Sequence, residues 1–317
     1  MRLVTFENRG EIRLGAEIEG AVVDLNRGYA LLLAARGVAD FQARADRELP
    51  AEMPGFLEGW DVSLPRAREV LAMVREVRAS GGPLAGAALR PAGEVRLRAP
   101  VARPGKIVCL GLNYRDHALE TKAEIPAEPV LFSKYASAVI GPGDPIALPA
   151  VSQEVDYEGE FAFVIARRGR HISKEQALEH VAGYTCLNDV SARDYQLRKP
   201  GGQWMSGKTF DTFAPMGPVL VTTEEIPDPH ALDIRTTVSG ELLQSSNTRN
   251  LIFTLPDIIA YCSQIFTLEP GDVFATGTPG GVGFARRPPR FLRDGDVVEV
   301  EVQGIGVLRN PVKREAR

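Results

Sequence analysis

The feature that most constrains this chain is a series of short runs rich in β-branched and aromatic residues, each cut off by Gly or Pro. From Lys106 onward they read KIVCLGL, PVLFSKY, EFAFVIAR, PVLVTT, VFATGT and VVEVEV. Runs of that length and make-up favour strands, and the breakers between them leave little room for long helices. A second series opens the chain: RLVTFE, EIRLGAEIEG and AVVDL, punctuated by Gly10, Gly15 and Gly20, reads as a β meander. Helical spacing is confined to Tyr29–Arg36, to Leu64–Arg78 behind an early Pro65, and to two later segments. In SKEQALEHVAG, Ser173 and Gln176 form a potential capping box and Gly183 a stop; TLPDIIAYCSQIF starts in the same way on Thr254 and Asp257. Strands and helices do not alternate regularly, so the expected class is mixed α+β, mostly β, and not a doubly wound parallel sheet. The Gly- and Pro-rich stretch 80–105 reads as a linker between a small N-terminal α+β domain, residues 1–79, and a larger domain, residues 106–317.

Composition narrows the function. Of 317 residues, 37 are Lys or Arg and 41 Asp or Glu, a net charge of -4, which offers no footprint for nucleic acid or an anionic membrane. Cys109, Cys186 and Cys262 are odd in number and far apart, fitting neither a disulfide framework nor a thiolate metal site. This pattern suits a reducing compartment. The opening MRLVTFENRG has the features of neither a signal nor a transit peptide, and no apolar run approaches the ~18 residues of a spanning helix, so the expected location is cytoplasmic.

The residues that could carry chemistry begin with Glu158 and Glu160 in VDYEGEFAFVIAR. Two apart at the head of a strand, they leave the same face, which Ala162 and Val164 continue. Two carboxylates on an apolar face repel each other and resist burial unless a cation lies between them; the alternative is an exposed strand end with two solvated glutamates. Asp189, at the end of the strand-like GYTCLND, supplies a third carboxylate. Three oxygen donors without thiol or imidazole favour a hard octahedral ion, Mg²⁺ or Mn²⁺ with Ca²⁺ as a further candidate, over structural zinc. Asp156 shares the glutamates' face and reads as their support, and Asp194 as the partner of an arginine. In NYRDHALE, His117 and Glu120 are three apart and meet on one helical turn, as a base and its orienting carboxylate or as a plain surface pair. His171, His180 and His230 have no such context and read as structural. Arg193, Gln196 and Lys208 fall in a polar, loop-rich stretch suited to an anionic substrate. Thr278 lies in the Gly-rich loop TGTPGGVG, which has no P-loop ending, and no GxGxxG follows a strand.

Together, NYRDHALE, DYEGE, NDVSARDYQ, GKTFDTFAPMGP and PGDVFATGTPGGVG resemble the fumarylacetoacetate hydrolase family in order and spacing, over about Lys106–Val312. The resemblance implies a mixed β-roll flanked by short helices, assembled as a homodimer. It implies that Glu158, Glu160 and Asp189 are divalent-cation ligands and that His117 with Glu120 is a catalytic dyad. Arg193, Gln196, Lys208 and Thr278 would line the substrate pocket, and residues 121–129 would form a lid. The reaction expected first is cleavage of a C–C bond in a small β-diketo or 2-oxo acid, with His117 activating water and Lys208 assisting the departing enolate. The alternatives are isomerisation or enol–keto tautomerisation of a related oxo acid, oxaloacetate included, and metal and oxo-acid binding without catalysis.

Overall fold

In the computed structural model, which describes residues 1–80 and 88–315, the β runs form a 12-stranded, a five-stranded and a two-stranded sheet. In the largest, the strand Gly159–Ile165 lies antiparallel between Val181–Asn188 and Val273–Ala275, and the latter runs parallel to Ile107–Gly111. Val130–Lys134 pairs on the far side of Ile107–Gly111. In the other direction Ala214–Thr222 joins Val181–Asn188 to Arg2–Asn8, so the amino-terminal meander continues the same sheet.

All seven residues of Gly159–Ile165 are buried. Phe161, Phe163 and Ile165 enter a core shared with Ile234, Val298, Val300 and Leu308 of the five-stranded sheet. Ala162 and Val164 enter a second core with Tyr29, Leu33, Phe56 and Val70 of the amino-terminal helices. A strand covered on both faces has no polar side to show, which explains why the run FAFVIA after Glu160 is apolar throughout. Phe163 stacks on Phe274 of the neighbouring strand with ring centroids 4.8 Å apart.

The helices depart from the sequence reading in instructive ways. Leu25–Ala35 starts earlier than its apolar spacing predicts, because the Asp24 side chain accepts a hydrogen bond from the Arg27 backbone and caps it. Trp60–Ala79 likewise starts before the predicted Leu64 and runs through Pro65. Phe41–Glu48 was not anticipated: Ala45 is its one buried residue, so it carries no apolar stripe to detect. The helix expected in SKEQALEHVAG is a misreading. That segment holds a short 3₁₀ turn, Ala177–His180, and Val181 already opens a strand. Gly183 is no helix stop: a Cβ there would lie 2.2 Å from the Val221 carbonyl oxygen, so glycine permits the close approach of two strands. Leu255–Ile265, by contrast, begins with the predicted capping box of Thr254 and Asp257. Within 80–105, residues 81–87 lie outside the described residues, and Leu89–Pro91 and Arg96–Arg98 are strands paired with Ala21–Asp24 and Arg2–Asn8. No described helix is long and apolar enough to cross a membrane.

Candidate active site

Strand pairing assembles the acidic trio. Gly159 lies opposite Asn188, so the residues flanking them, Glu158, Glu160 and Asp189, meet at one place in the sheet. The Glu158 backbone N–H donates to Asn188 Oδ1 at 3.0 Å, and the Asp189 N–H to the Glu158 carbonyl at 2.8 Å. One carboxylate oxygen from each of the three lies within 4.8 Å of the others. Glu158 is 6%, Glu160 1% and Asp189 0% exposed, which rules out the solvated strand end.

Two lysines and an arginine face the trio. Lys208 Nζ donates to Glu158 Oε2 at 2.7 Å and to Asp189 Oδ2 at 2.8 Å. Lys134 Nζ donates to Asp189 Oδ1 at 2.5 Å and to the Val190 carbonyl at 3.0 Å. Arg193 Nη2 is 2.8 Å from Glu158 Oε1, its Nε donates to Asp156 Oδ2 at 2.8 Å, and its Nη1 to Gln196 Oε1 at 2.8 Å. Asp156, buried, also accepts the Gly283 and Phe284 backbone N–H groups, which fits the supporting role expected of it. Among the described residues no arginine is paired with Asp194. It accepts from the Ser152 hydroxyl at 2.7 Å and from the Gln153 and Tyr195 backbones, because it sits at the start of the short helix Arg193–Arg198 and turns toward the loop before it.

These contacts treat the glutamates unequally. Burial raises the affinity of Glu158 for a proton, but Lys208 and Arg193 outweigh it and hold the carboxyl well below its usual range. Glu160 accepts the Gly277 backbone N–H at 2.7 Å, and no lysine or arginine is paired with it among the described residues. Burial, reinforced by Asp189 and Glu158, pushes its carboxyl well above its usual range. Three buried hard oxygen donors within 4.8 Å of one another, of which Glu160 has no lysine or arginine paired with it among the described residues, fit a divalent cation.

His117 and Glu120 sit on the helix Arg115–Thr121. His117 Nδ1 is 3.7 Å from Glu120 Oε2, beyond hydrogen-bond reach, and is buried with no hydrogen-bond partner among the described residues. The Gly281 backbone N–H holds both Glu120 oxygens, at 3.1 and 2.9 Å. Burial raises the Glu120 carboxyl, and His117 and that N–H more than reverse the effect, leaving it lowered.

A cavity of about 170 Å³ gathers His117, Glu158, Arg193, Gln196, Lys208 and Thr278 in its lining. The Thr278 hydroxyl is already committed: it donates to the Gly159 carbonyl at 3.0 Å and accepts from Gln244 Nε2 at 2.8 Å. Gln244 Oε1 in turn accepts the Gly159 N–H at 2.9 Å, so this buried side chain ties the Gly-rich loop to the strand bearing Glu160. The sequence reading missed Gln244 and Lys134. No local pattern marks Gln244. Lys134 carried a signal, being one of seven lysines in the chain and the end of an apolar strand run. The other three histidines have structural partners: Gln264 for His171, the Arg167 carbonyl for His180 and the Leu255 backbone N–H for His230.

A family model for the C-terminal region of fumarylacetoacetate hydrolase matches residues 106–313. The chain belongs to the fumarylacetoacetate hydrolase family. It is 44% identical over 316 residues to a protein of Xenopus laevis named as a mitochondrial oxaloacetate tautomerase, covering 98% of this chain and 90% of that protein. Among solved structures it resembles 2-hydroxyhepta-2,4-diene-1,7-dioate isomerase from Mycobacterium marinum, with a TM-score of 0.71 and 32% identity over 100% of both chains. It also resembles maleylpyruvate hydrolase from a Sphingobium species, with a TM-score of 0.72 and 31% identity over 99% of this chain and 100% of that one. The family is thus one of enzymes acting by isomerisation, tautomerisation or hydrolysis.

Proposed function

We propose that this protein is a divalent-metal-dependent tautomerase of oxaloacetate or a closely related small 2-oxo acid. The observation that carries this reading is the 44% identity with an oxaloacetate tautomerase along 98% of the chain. It displaces C–C hydrolysis, the reaction expected first from the sequence, to second place.

The donor chemistry agrees. Glu158, Glu160 and Asp189 would hold Mg²⁺ or Mn²⁺, which when bound would stabilise negative charge developing on the substrate's 2-oxo oxygen. Lys208 uses two of its three N–H donors on Glu158 and Asp189, leaving one for that oxygen. His117, with a buried and unpartnered ring nitrogen, would carry the proton to or from the carbon next to the keto group, and Glu120 would orient the ring. Enol–keto exchange moves one proton at that carbon, through His117, and one at the 2-oxo oxygen, which would exchange with solvent; it needs no water positioned for attack. The walls contributed by Leu110, Phe132, Leu197, Trp204 and Phe284 keep the cavity poor in competing polar groups. Arg193 and Gln196 support Glu158 as much as they face the cavity.

The second reading, hydrolysis, is favoured by the likeness to maleylpyruvate hydrolase. Carbon counting separates the two. With Mg²⁺ or Mn²⁺, purified protein should speed loss of enol-oxaloacetate absorbance while NMR finds all four carbons still joined; release of pyruvate or another fragment at the same rate would sink the tautomerase reading. His117→Ala should lower turnover by about 10²-fold or more with metal binding retained. A homodimer is proposed from the family resemblance. Cys109, Cys186 and Cys262 are free and buried, which suits a reducing compartment; we keep the cytoplasm as the proposed location, to be checked by cell fractionation because the Xenopus relative is named mitochondrial.

A further inference from the structure

The lining of the cavity divides by chemistry. One part is polar and ionisable: His117, Glu158, Arg193 and Lys208. The other is apolar: Leu110, Phe132, Leu197, Trp204 and Phe284. At about 170 Å³ the cavity is smaller than the roughly 300–1,000 Å³ of pockets for drug-sized ligands. Phe132 links the two parts. Its ring centre is 5.0 Å from Lys208 Nζ and 5.8 Å from the ring centre of Trp204, which meets it edge-on.

Trp204 is also wedged from behind. A Cβ on Gly111 would lie 2.5 Å from Trp204 Cζ3 and 3.1 Å from Cη2, so the indole rests directly on the Gly111 backbone. Gly111 does not have a positive φ; glycine is needed here for close approach and not for its freedom. Leu197 is 51% exposed and free to turn outward, whereas Trp204 is held between Gly111 and Phe132. Trp204 immediately precedes the helical turn Met205–Lys208, so one short element delivers both the cation at the acidic trio and the indole at the apolar wall.

We propose that Trp204 is a specificity-determining residue: its indole, seated on Gly111, limits how long an arm the substrate can extend beyond its 2-oxo acid head. The inference rests on the oxo-acid reading and deepens it. The acceptable class becomes 2-oxo acids of about four carbons, with chain-extended and aryl-substituted homologues excluded by lack of space.

The test uses calorimetric binding of oxamate and its N-methyl, N-butyl and N-benzyl derivatives to full-length protein with Mn²⁺. These probes keep one α-oxo carboxylate head and lengthen only the tail. Wild type should lose at least tenfold in affinity between the methyl and butyl probes. Trp204→Ala should still bind oxamate and should narrow the gap in affinity between oxamate and its butyl and benzyl derivatives by at least tenfold, with Trp204→Phe in between. Tail profiles in both variants parallel to wild type would overturn the proposal. So would loss of unsubstituted oxamate in both, which would make Trp204 a support for Lys208 instead of a wall. Failure of wild type itself to bind oxamate would remove the oxo-acid reading, and the length limit with it, a result distinct from a flat tail profile.

Discussion

Glu158 and Glu160 leave one strand on one face, yet their surroundings drive them in opposite directions. Glu158 gains Lys208 and Arg193, while Glu160 gains one backbone N–H and two negative neighbours. An ionised Glu160 therefore opposes folding of the metal-free protein, and the same charge should draw a cation in. Glu160→Gln separates these effects. The metal-free variant should melt at or above the wild-type temperature, and adding Mg²⁺ or Mn²⁺ should not raise it further. Wild type should gain about 2.7 kcal/mol at a metal concentration 100 times Kd. Scanning calorimetry with and without a chelator measures both. A variant that melts lower and still responds to metal would place the cation elsewhere. At this scale the sequence was informative about acids and poor about their partners. Two carboxylates at strand spacing advertise themselves, because parity fixes their direction. Lys134 and Gln244 come from distant strands, and only the folded sheet brings them to Asp189 and Gly159.

Elements were legible where local chemistry and tertiary packing agree. Thr254 and Asp257 cap Leu255–Ile265, whose Leu255, Ile258, Ile259 and Cys262 are all buried. Ser173 and Gln176 offered a similar signature, but the run VAGYTCLN beyond them hydrogen-bonds to strands on both sides, and the sheet takes those residues from Val181 onward. The Leu255–Ile265 helix carries a further device. His230 Nε2 accepts the Leu255 backbone N–H at 3.2 Å, a bond that only the neutral ring protonated at Nδ1 can make. Burial lowers the His230 pKa from its usual 6.5 despite Asp228 and Asp257 nearby. A group that binds its proton less tightly when folded contributes stability above its unfolded value and loses it as pH falls below. The melting temperature should thus decline between about pH 7 and pH 5, and His230→Gln, which keeps an acceptor but cannot titrate, should flatten that decline. An unchanged slope in the variant would assign the acid sensitivity to other groups.

For the whole molecule, composition and strand runs were enough for the mixed, mostly β class, while sheet order was beyond them because pairing such as Leu3 with Leu220 is not a local property. The division into 1–79, 80–105 and 106–317 remains a proposal about chain organisation. Its larger part starts where the family model starts. The shared sheet sets its limits: residues 106–317 alone would uncover the Ala214–Thr222 edge and the apolar surface against Leu3, Leu14 and Leu25. That fragment should elute as aggregate in size-exclusion chromatography and become soluble when co-expressed with residues 1–105. A monodisperse fragment with a cooperative melt would instead make the first part dispensable. The strand Arg2–Asn8 has one more consequence, for biosynthesis. It emerges from the ribosome long before Ala214–Thr222 is translated; Thr5–Glu7 can pair earlier with Arg96–Arg98, but the backbone edge at Arg2 and Leu3 must wait unpaired until most of the nascent chain has been made. Chaperone demand during translation should fall if the gene is rearranged so that these two strands are synthesised consecutively.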